Sequence, residues 1–261
     1  MRDEEVLLSV VIPAYNEEER LPLTLQRVCG YLSTRSISFE VIVVDDGSND
    51  RTAAIAEQFF KSQKGGTVLR NCQNEGKGFS VKRGVLQALG KYILFSDADL
   101  STPIEEVDKL LQPISDGYCD IAIASRAHRG SNVAVSQAWY RKLMGKIFNA
   151  FVRLLVMRGI SDTQCGFKCF KRTVAMAVFQ RQHLTGFGFD VEVLYIAQKA
   201  AYVILEVPVI WINSPKSRVR LIKDSARMFF DLWQIRVNGL KGRYNQGPKE
   251  SKSEQHSRVP I

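Results

Sequence analysis

The sequence predicts an α/β fold with a mainly parallel central sheet and helices on both faces, and three observations predict it. Short apolar, β-branched runs alternate with amphipathic helical patterns from Leu7 to Ala124, the order that produces parallel sheets. Each strong run ends in a loop carrying proline, glycine or paired carboxylates. The chain has 261 residues, 45% hydrophobic and 24% charged, enough to bury a sizeable core as one large domain or one domain with an extension.

Leu7 to Ile12 is a β-branched run closed by Pro13, and a helical pattern with Leu21, Leu25 and Val28 on one face follows Glu17, Glu18 and Glu19. Phe39 to Val44 is a fully apolar strand, Asp45-Asp46-Gly47-Ser48 a turn, and Thr52 to Phe60 a helix. Thr67 to Leu69 is a short strand, and Gly76-Lys77-Gly78 opens a helix running to about Leu89. Tyr92 to Phe95 is a stronger strand ending at Asp97-Ala98-Asp99; a helix follows from Pro103, and Ile121 to Ala124 is a further strand.

Ligands of such sheets bind at the carboxyl ends of the strands. That rule gathers Pro13-Ala14-Tyr15-Asn16-Glu17, Asp45-Asp46, Asp97-Ala98-Asp99 and Ser125-Arg126 on one edge. An Asp-x-Asp at a strand end suits a hard divalent ion, Mg²⁺ for example, shared with substrate phosphates. An acid after an earlier strand suits hydrogen bonds from a base or ribose. Taken alone, Asp45 and Asp46 also fit a turn whose side chains bond their own backbone. Lys77, Lys82 and Arg83 near a helix start fit either a phosphate contact or a solvated helix face.

The net charge of +9 conceals a split. Residues 1 to 120 carry 13 basic and 19 acidic side chains, and the remainder 23 and 8, so the first part is net −6 and the second net +15. The second part therefore calls for an anionic partner. From Ile121 to Ser161 there is no acidic residue. Trp139 to Met157 places Lys142, Lys146, Asn149 and Arg153 on one stripe and Trp139, Leu143, Ile147, Phe151 and Leu154 on another, a basic amphipathic helix of interfacial character. The first also fits a helix packed on the sheet with a solvated basic face; Leu221 to Ile235 is a second such amphipathic candidate. Such helices dock on an anionic leaflet without crossing it. The five cysteines are scattered and fit reduced thiols rather than a disulfide framework, and the three histidines are far apart. The chain opens on charged residues and contains no run of about 18 apolar residues. The expectation is therefore of no signal peptide, no transmembrane helix, and a cytoplasmic, peripherally membrane-associated protein. From about Tyr244 onward the composition is that of a disordered tail. The division expected is a catalytic domain over 1–240, with a donor half to about 126 and an acceptor and membrane-interface half from 127, then a tail over 241–261.

Val10 to Glu17, Val43 to Ser48, Asn74 to Gly78 and Asp97-Ala98-Asp99 resemble glycosyltransferase family 2. Asp97 to Ile104, Ser125-Arg126, Asp162 to Lys168 and Phe189 to Glu192 are similar, more narrowly, to the dolichyl-phosphate β-glucosyltransferases. The resemblance covers about residues 6 to 236 and implies a GT-A type nucleotide-sugar transferase fold and inverting transfer of glucose from UDP-glucose to a dolichyl or polyprenyl phosphate. It implies donor contacts from Pro13, Ala14, Tyr15, Glu17, Asp45, Asp46, Lys77 and Ala98, with Asp97 and Asp99 at the diphosphate and Mg²⁺ or Mn²⁺. Arg126, Lys168 and Arg218 are then expected at the acceptor phosphate. Asp97, Asp99, Arg126 and Asp190 make up the catalytic set. Gly186-Phe187-Gly188-Phe189 departs from the eukaryotic pattern, which has an aromatic, often Trp, shortly before Phe-Asp-Val-Glu. That departure, and the start directly at a strand, fit a bacterial-type enzyme acting at the cytoplasmic face.

A phosphate monoester acceptor is mostly dianionic at pH 7, so no strong base is required and Asp190 is expected to position rather than to abstract a proton. Glu192 and Asp190 also fit a capping role for the helix that follows. Alternatives are a dolichyl-phosphate mannosyltransferase-like enzyme using GDP-mannose, a family 2 enzyme with a hydroxyl acceptor, and a non-enzymatic nucleotide-sugar or nucleic-acid binder. No nucleic-acid motif is present, and no nucleic-acid partner is expected.

Overall fold

The run Leu8–Ala14 (β1) is the centre from which the sheet grows. It pairs in parallel with Phe39–Asp45 (β2) on one side and Tyr92–Ser96 (β4) on the other, and β2 pairs in parallel with Gly66–Arg70 (β3). In this computed structural model the described residues are 5–63, 65–128, 130–133, 139–212 and 221–245. Ile121–Ser125 (β5) and Ile204–Pro208 (β8) are also parallel to each other. The resulting seven strands lie in the order β3-β2-β1-β4-β7-β5-β8, where β7 is Phe167–Lys171. Asn132–Val133 (β6) and Ile210–Trp211 (β9) form a separate two-stranded pair.

β7 is the one antiparallel strand of the large sheet, inserted between β4 and β5. Its sequence, Phe-Lys-Cys-Phe-Lys, carries no clear strand signal, because a lysine stands where a buried residue belongs. Its reversal matters for function. Ser96 pairs with Phe167 and Phe95 with Lys168, so β7 begins where its parallel neighbours end, and the segment before it joins their carboxyl edge.

Helices cover both faces. Leu21–Ser33 (α1), Thr52–Ser62 (α2) and Val107–Ser115 (α4), the last entered through a 3-10 turn at Ile104–Glu106, pack on one face over Val10, Ile12, Val41, Val43 and Leu94. On the other face Lys77–Gln87 (α3), Trp139–Leu155 (α5), Arg172–Gln180 (α6), Phe189–Lys199 (α7) and Leu221–Leu240 (α8) pack over Val11, Ile42, Val44, Ile93, Phe95, Ile121 and Ile123. Odd and even positions of β1 thus belong to different cores, as the period of two requires. The apolar stripe expected on α1 is buried as Leu21, Leu25, Val28 and Leu32.

The tail boundary is corrected. Tyr244, which the composition assigns to a disordered tail, is buried; its hydroxyl donates to Glu192 Oε1 at 2.8 Å and its ring lies against Tyr195 and His183. A polar, glycine-containing neighbourhood hid one anchoring aromatic. The rest of the expected tail, 246–261, lies outside the described residues, as does the basic loop 216–220 with Arg218.

Candidate active site

The carboxyl edge is assembled from strand ends whose loops are clipped to one another. After β1, Asn16 adopts a left-handed backbone with φ +53°, tolerable for asparagine. Its N–H donates to Ser48 Oγ at 2.9 Å and its Oδ1 accepts from the Asn49 N–H at 2.9 Å, joining the β1 and β2 loops. Pro13 and Ala14 close β1 beside Val44 and Asp45, and Tyr15 is exposed next to them. The Glu17 carboxylate is buried and accepts from both Arg20 Nε and Nη2, at 2.6 and 2.5 Å.

Asp45 and Asp46 separate sharply. Asp45 is buried, and its Oδ1 has no hydrogen-bond partner among the described residues. Asp46 was expected beside it as a donor contact, but its carboxylate is already engaged. It accepts from Asn71 Nδ2 at 2.7 Å and from the N–H groups of Glu75 and Gly76 at 3.0 and 2.9 Å. Asp46 therefore shapes the 71–76 loop that delivers Lys77. Gly76 at φ +105° is required there, since a Cβ would stand 2.5 Å from the Thr185 carbonyl oxygen. Lys82 and Arg83 turn out to be structural too: Lys82 Nζ donates to the Gln182 carbonyl at 2.8 Å, and Arg83 Nη1 to the Arg70 carbonyl and Asn71 Oδ1, both at 2.6 Å.

Asp97 is the partly open carboxylate of the edge, its side chain 35% exposed, and Lys77 Nζ lies 2.6 Å from its Oδ1. Burial disfavours the Lys77 charge, but Asp97, Asp190 and Asp99 more than compensate and hold the ammonium above the ordinary lysine range. Asp97 N–H donates to the Gly166 carbonyl at 3.0 Å, and a Cβ on Gly166 would fall 2.0 Å from Asp97 Oδ2. Only glycine lets the β7 approach come this close. Thr24 Oγ1 donates to the Ala98 carbonyl at 2.6 Å, and Asp99 Oδ1 accepts from the Ser101 N–H at 2.9 Å. Leu100 between them is held at φ +45°, a conformation unfavourable for a branched side chain and kept by these bonds. No cluster of three or more His, Cys, Asp or Glu side chains that could hold a metal occurs among the described residues. Asp97 and Asp99 suit an ion that takes its remaining oxygens from water and phosphate.

Two ion pairs complete the edge, one partly open and one fully buried. Arg126, at the end of β5, donates from Nε to Asp162 Oδ2 at 2.7 Å and from Nη2 to Oδ1 at 2.8 Å; its own N–H also bonds Oδ2 at 2.9 Å. Despite its burial, Asp162 is held below the usual carboxylate range by Arg126. Asp162 was not singled out as a partner, although a signal existed: it is the first acid after the acid-free stretch 121–161. Lys168 is 0% and Asp190 3% exposed, with Nζ to Oδ1 at 2.5 Å, and Lys168 also donates to the Cys165 carbonyl at 2.7 Å. Desolvation pushes Asp190 upward, against the pull of Lys168 and Lys77. Lys168 was expected at an acceptor phosphate; as placed, it is sealed beneath the edge with a carboxylate of its own. Glu192 does not cap its helix: its carboxylate accepts from the N–H groups of His183 and Leu184 and from Tyr244.

Asp97, Asp99, Lys77, Asp45 and Arg126 are thus brought to one edge, with Asp190 just below it. The family model described as glycosyl transferase family 2 matches residues 9–179. A dolichyl-phosphate β-glucosyltransferase from Dictyostelium discoideum is 37% identical over 250 residues, which is 92% of this chain and 76% of that protein. The Homo sapiens protein of the same name is 38% identical, covering 90% and 76%. Among solved structures, glucosyl-3-phosphoglycerate synthase from Mycobacterium tuberculosis, crystallised with Mg²⁺ and UDP, superposes with a TM-score of 0.67 at 19% identity, over 89% of this chain and 80% of that one. That likeness gives the GT-A fold, and with the matched family and an identity above one third along nine-tenths of the sequence, the chain belongs to glycosyltransferase family 2, in the group that contains the dolichyl-phosphate β-glucosyltransferases.

Proposed function

We propose that the protein is an inverting glucosyltransferase that moves glucose from UDP-glucose to a dolichyl or polyprenyl phosphate at the cytoplasmic face of a membrane. The observation that carries this reading is the identity of 37–38% to dolichyl-phosphate β-glucosyltransferases over 90–92% of this chain. In it, 1–240 works as one catalytic domain, with the donor bound by the part before about residue 126 and the acceptor by the part after.

The unpartnered Oδ1 of Asp45 accepts the uracil N–H, while Pro13, Ala14 and Tyr15 flank the nucleoside and Glu17, fixed by Arg20, closes its far side. Asp97 and Asp99 would hold Mg²⁺ or Mn²⁺; Asp97 has the exposure, and Gly166 leaves room at its carboxylate, that such an ion would need. When bound, the ion neutralises charge on the leaving diphosphate. Lys77, next to Asp97, supplies a second positive charge at the same place, and the Ala98 carbonyl is fixed by Thr24. The acceptor phosphate oxygen attacks the anomeric carbon opposite the departing UDP. It arrives ionised and loses no proton in the step. Asp190 is therefore free of base duty, consistent with its burial against Lys168; it positions Lys77 by charge. Arg126, its side chain 29% exposed, orients the acceptor phosphate from the β5 end.

Membrane docking falls to α5 and α8. They pack together through Phe148, Phe151 and Phe229, and leave Ile147, Leu154, Phe230 and Trp233 exposed beside exposed Arg153 and Arg236. The side chains of Lys142 and Lys146, expected on the basic stripe, lie outside those described. No helix among the described residues is long and apolar enough to cross a membrane, and a basic, apolar surface suits docking on an anionic leaflet.

Incubation with labelled UDP-glucose, Mg²⁺ and polyprenyl phosphate tests the reading. A glucosylated lipid phosphate is the expected product; absence of any lipid-linked sugar, with this or other sugar nucleotides, defeats it. Sedimentation with anionic liposomes at low salt checks docking separately, and protein left in the supernatant counts against it.

A further inference from the structure

Burying a polar group without a partner is unfavourable by about 1–3 kcal/mol, so such atoms call for an account of what satisfies them. Three buried atoms without hydrogen-bond partners among the described residues, Ser125 Oγ, Thr163 Oγ1 and Gln164 Nε2, lie in two short segments clamped together by the Arg126–Asp162 pair. Ser125 ends β5 and alternates with Ile123, which pairs with Lys168. It therefore lies on the same sheet face as Ile121 and Ile123, the face on which Phe95 stacks beneath the Lys168 ammonium at 5.0 Å. Thr163 and Gln164 belong to the stretch from Asp162 to Gly166, which runs along the carboxyl edge from Arg126 at one end to Asp97 at the other, where the Gly166 carbonyl meets the Asp97 N–H.

The chemistry of these groups is distinctive. Each of the three cations described on this part of the edge already lies against a carboxylate: Lys77 with Asp97, Arg126 with Asp162, Lys168 with Asp190. What remains unmatched is neutral, two hydroxyls and an amide donor. A phosphate would seek the cations; neutral donors and acceptors suit a neutral, hydroxyl-rich ligand group. The stretch ends at Gly166 beside Asp97, which the proposed donor reading makes the diphosphate anchor, and a hexose joined to that diphosphate would lie next to it.

We propose that Ser125, Thr163 and Gln164 form the subsite for the hydroxyls of the donor hexose, with the Gln164 amide as the donor that sets sugar specificity. This rests on the nucleotide-sugar reading given above. A site built to hydrogen-bond a sugar hydroxyl discriminates strongly, because a sugar lacking it leaves the buried amide unmatched.

Calorimetric titration of the full chain with UDP and with UDP-glucose, both in MgCl₂, separates the hexose from the nucleotide. Gln164→Leu is expected to weaken UDP-glucose about tenfold, the scale of one lost buried hydrogen bond, and to leave UDP within about twofold. Thr163→Val should show the same selective loss and Thr163→Ser should restore affinity, which covers the case in which Gln164→Leu fails to fold. Equal loss for UDP and UDP-glucose, or no loss for either, overturns the proposal. If the unaltered protein binds neither ligand, the nucleotide-sugar reading itself fails, and the inference fails with it.

Discussion

The donor half and the acceptor half of this molecule place charge by opposite rules. In the donor half each reactive carboxylate follows its own strand directly: Asp45 ends β2 and Asp97 follows β4, so position along the sequence fixes position on the edge. In the acceptor half the important cations are partnered across long separations, Arg126 with Asp162 and Lys168 with Asp190. A net charge of +15 beyond residue 120 suggested a field of cations open to phosphate. Of the three cations expected there, Lys168 is in a fully buried pair, Arg126 is paired with Asp162 but remains 29% exposed, and Arg218 lies outside the described residues. Counting charges measures the long-range field; it does not separate a binding cation from one that neutralises a buried carboxylate.

Asp97→Asn keeps shape and hydrogen bonding but removes the charge facing Lys77, and is expected to lower transfer by about 10³-fold with little change in thermal midpoint, measured by lipid-linked product and by calorimetry. A variant that unfolds instead would make Asp97 a structural residue and erase the contrast. Lys168→Met is expected to behave in the reverse way. It leaves Asp190 buried and unpaired, destabilising by about 3–5 kcal/mol, and Asp190→Leu in the same chain should recover much of the loss in a denaturant titration. Full stability of the single variant would show that Lys168 is available to ligands after all.

Acid sensitivity gives the next test. Asp162 has a folded pKa below the ordinary aspartate value of 3.8, so its pair with Arg126 adds stability above that unfolded value, and the contribution disappears as pH falls through the lower folded one. Asp162→Asn should be less stable near neutrality and should flatten that part of the pH profile in thermal melts; an unchanged acid limb would contradict the pairing. The smallest effect is expected from Tyr244→Phe, which removes one hydrogen bond to Glu192 and should reduce stability by about 1 kcal/mol, seen as faster proteolysis after α8.

The alternation of strands and helices, the two-faced core and the edge carrying Asp45, Asp97 and Asp99 were all legible in the sequence. They depend on local periodicity and on the short reach from a strand to its own loop. Tertiary structure decided what local pattern cannot express. It reversed β7, carrying Gly166 against Asp97, and it assigned Asp46 to the 71–76 loop while leaving Asp45 unmatched. It also sealed Lys168 with Asp190 and buried Tyr244 beyond the last helix. Each of these rests on partners 22 to 69 or more residues apart, whose pairing follows from which groups the packed sheet deprives of water, and a desolvated charge or hydroxyl takes the partner that folding places within reach.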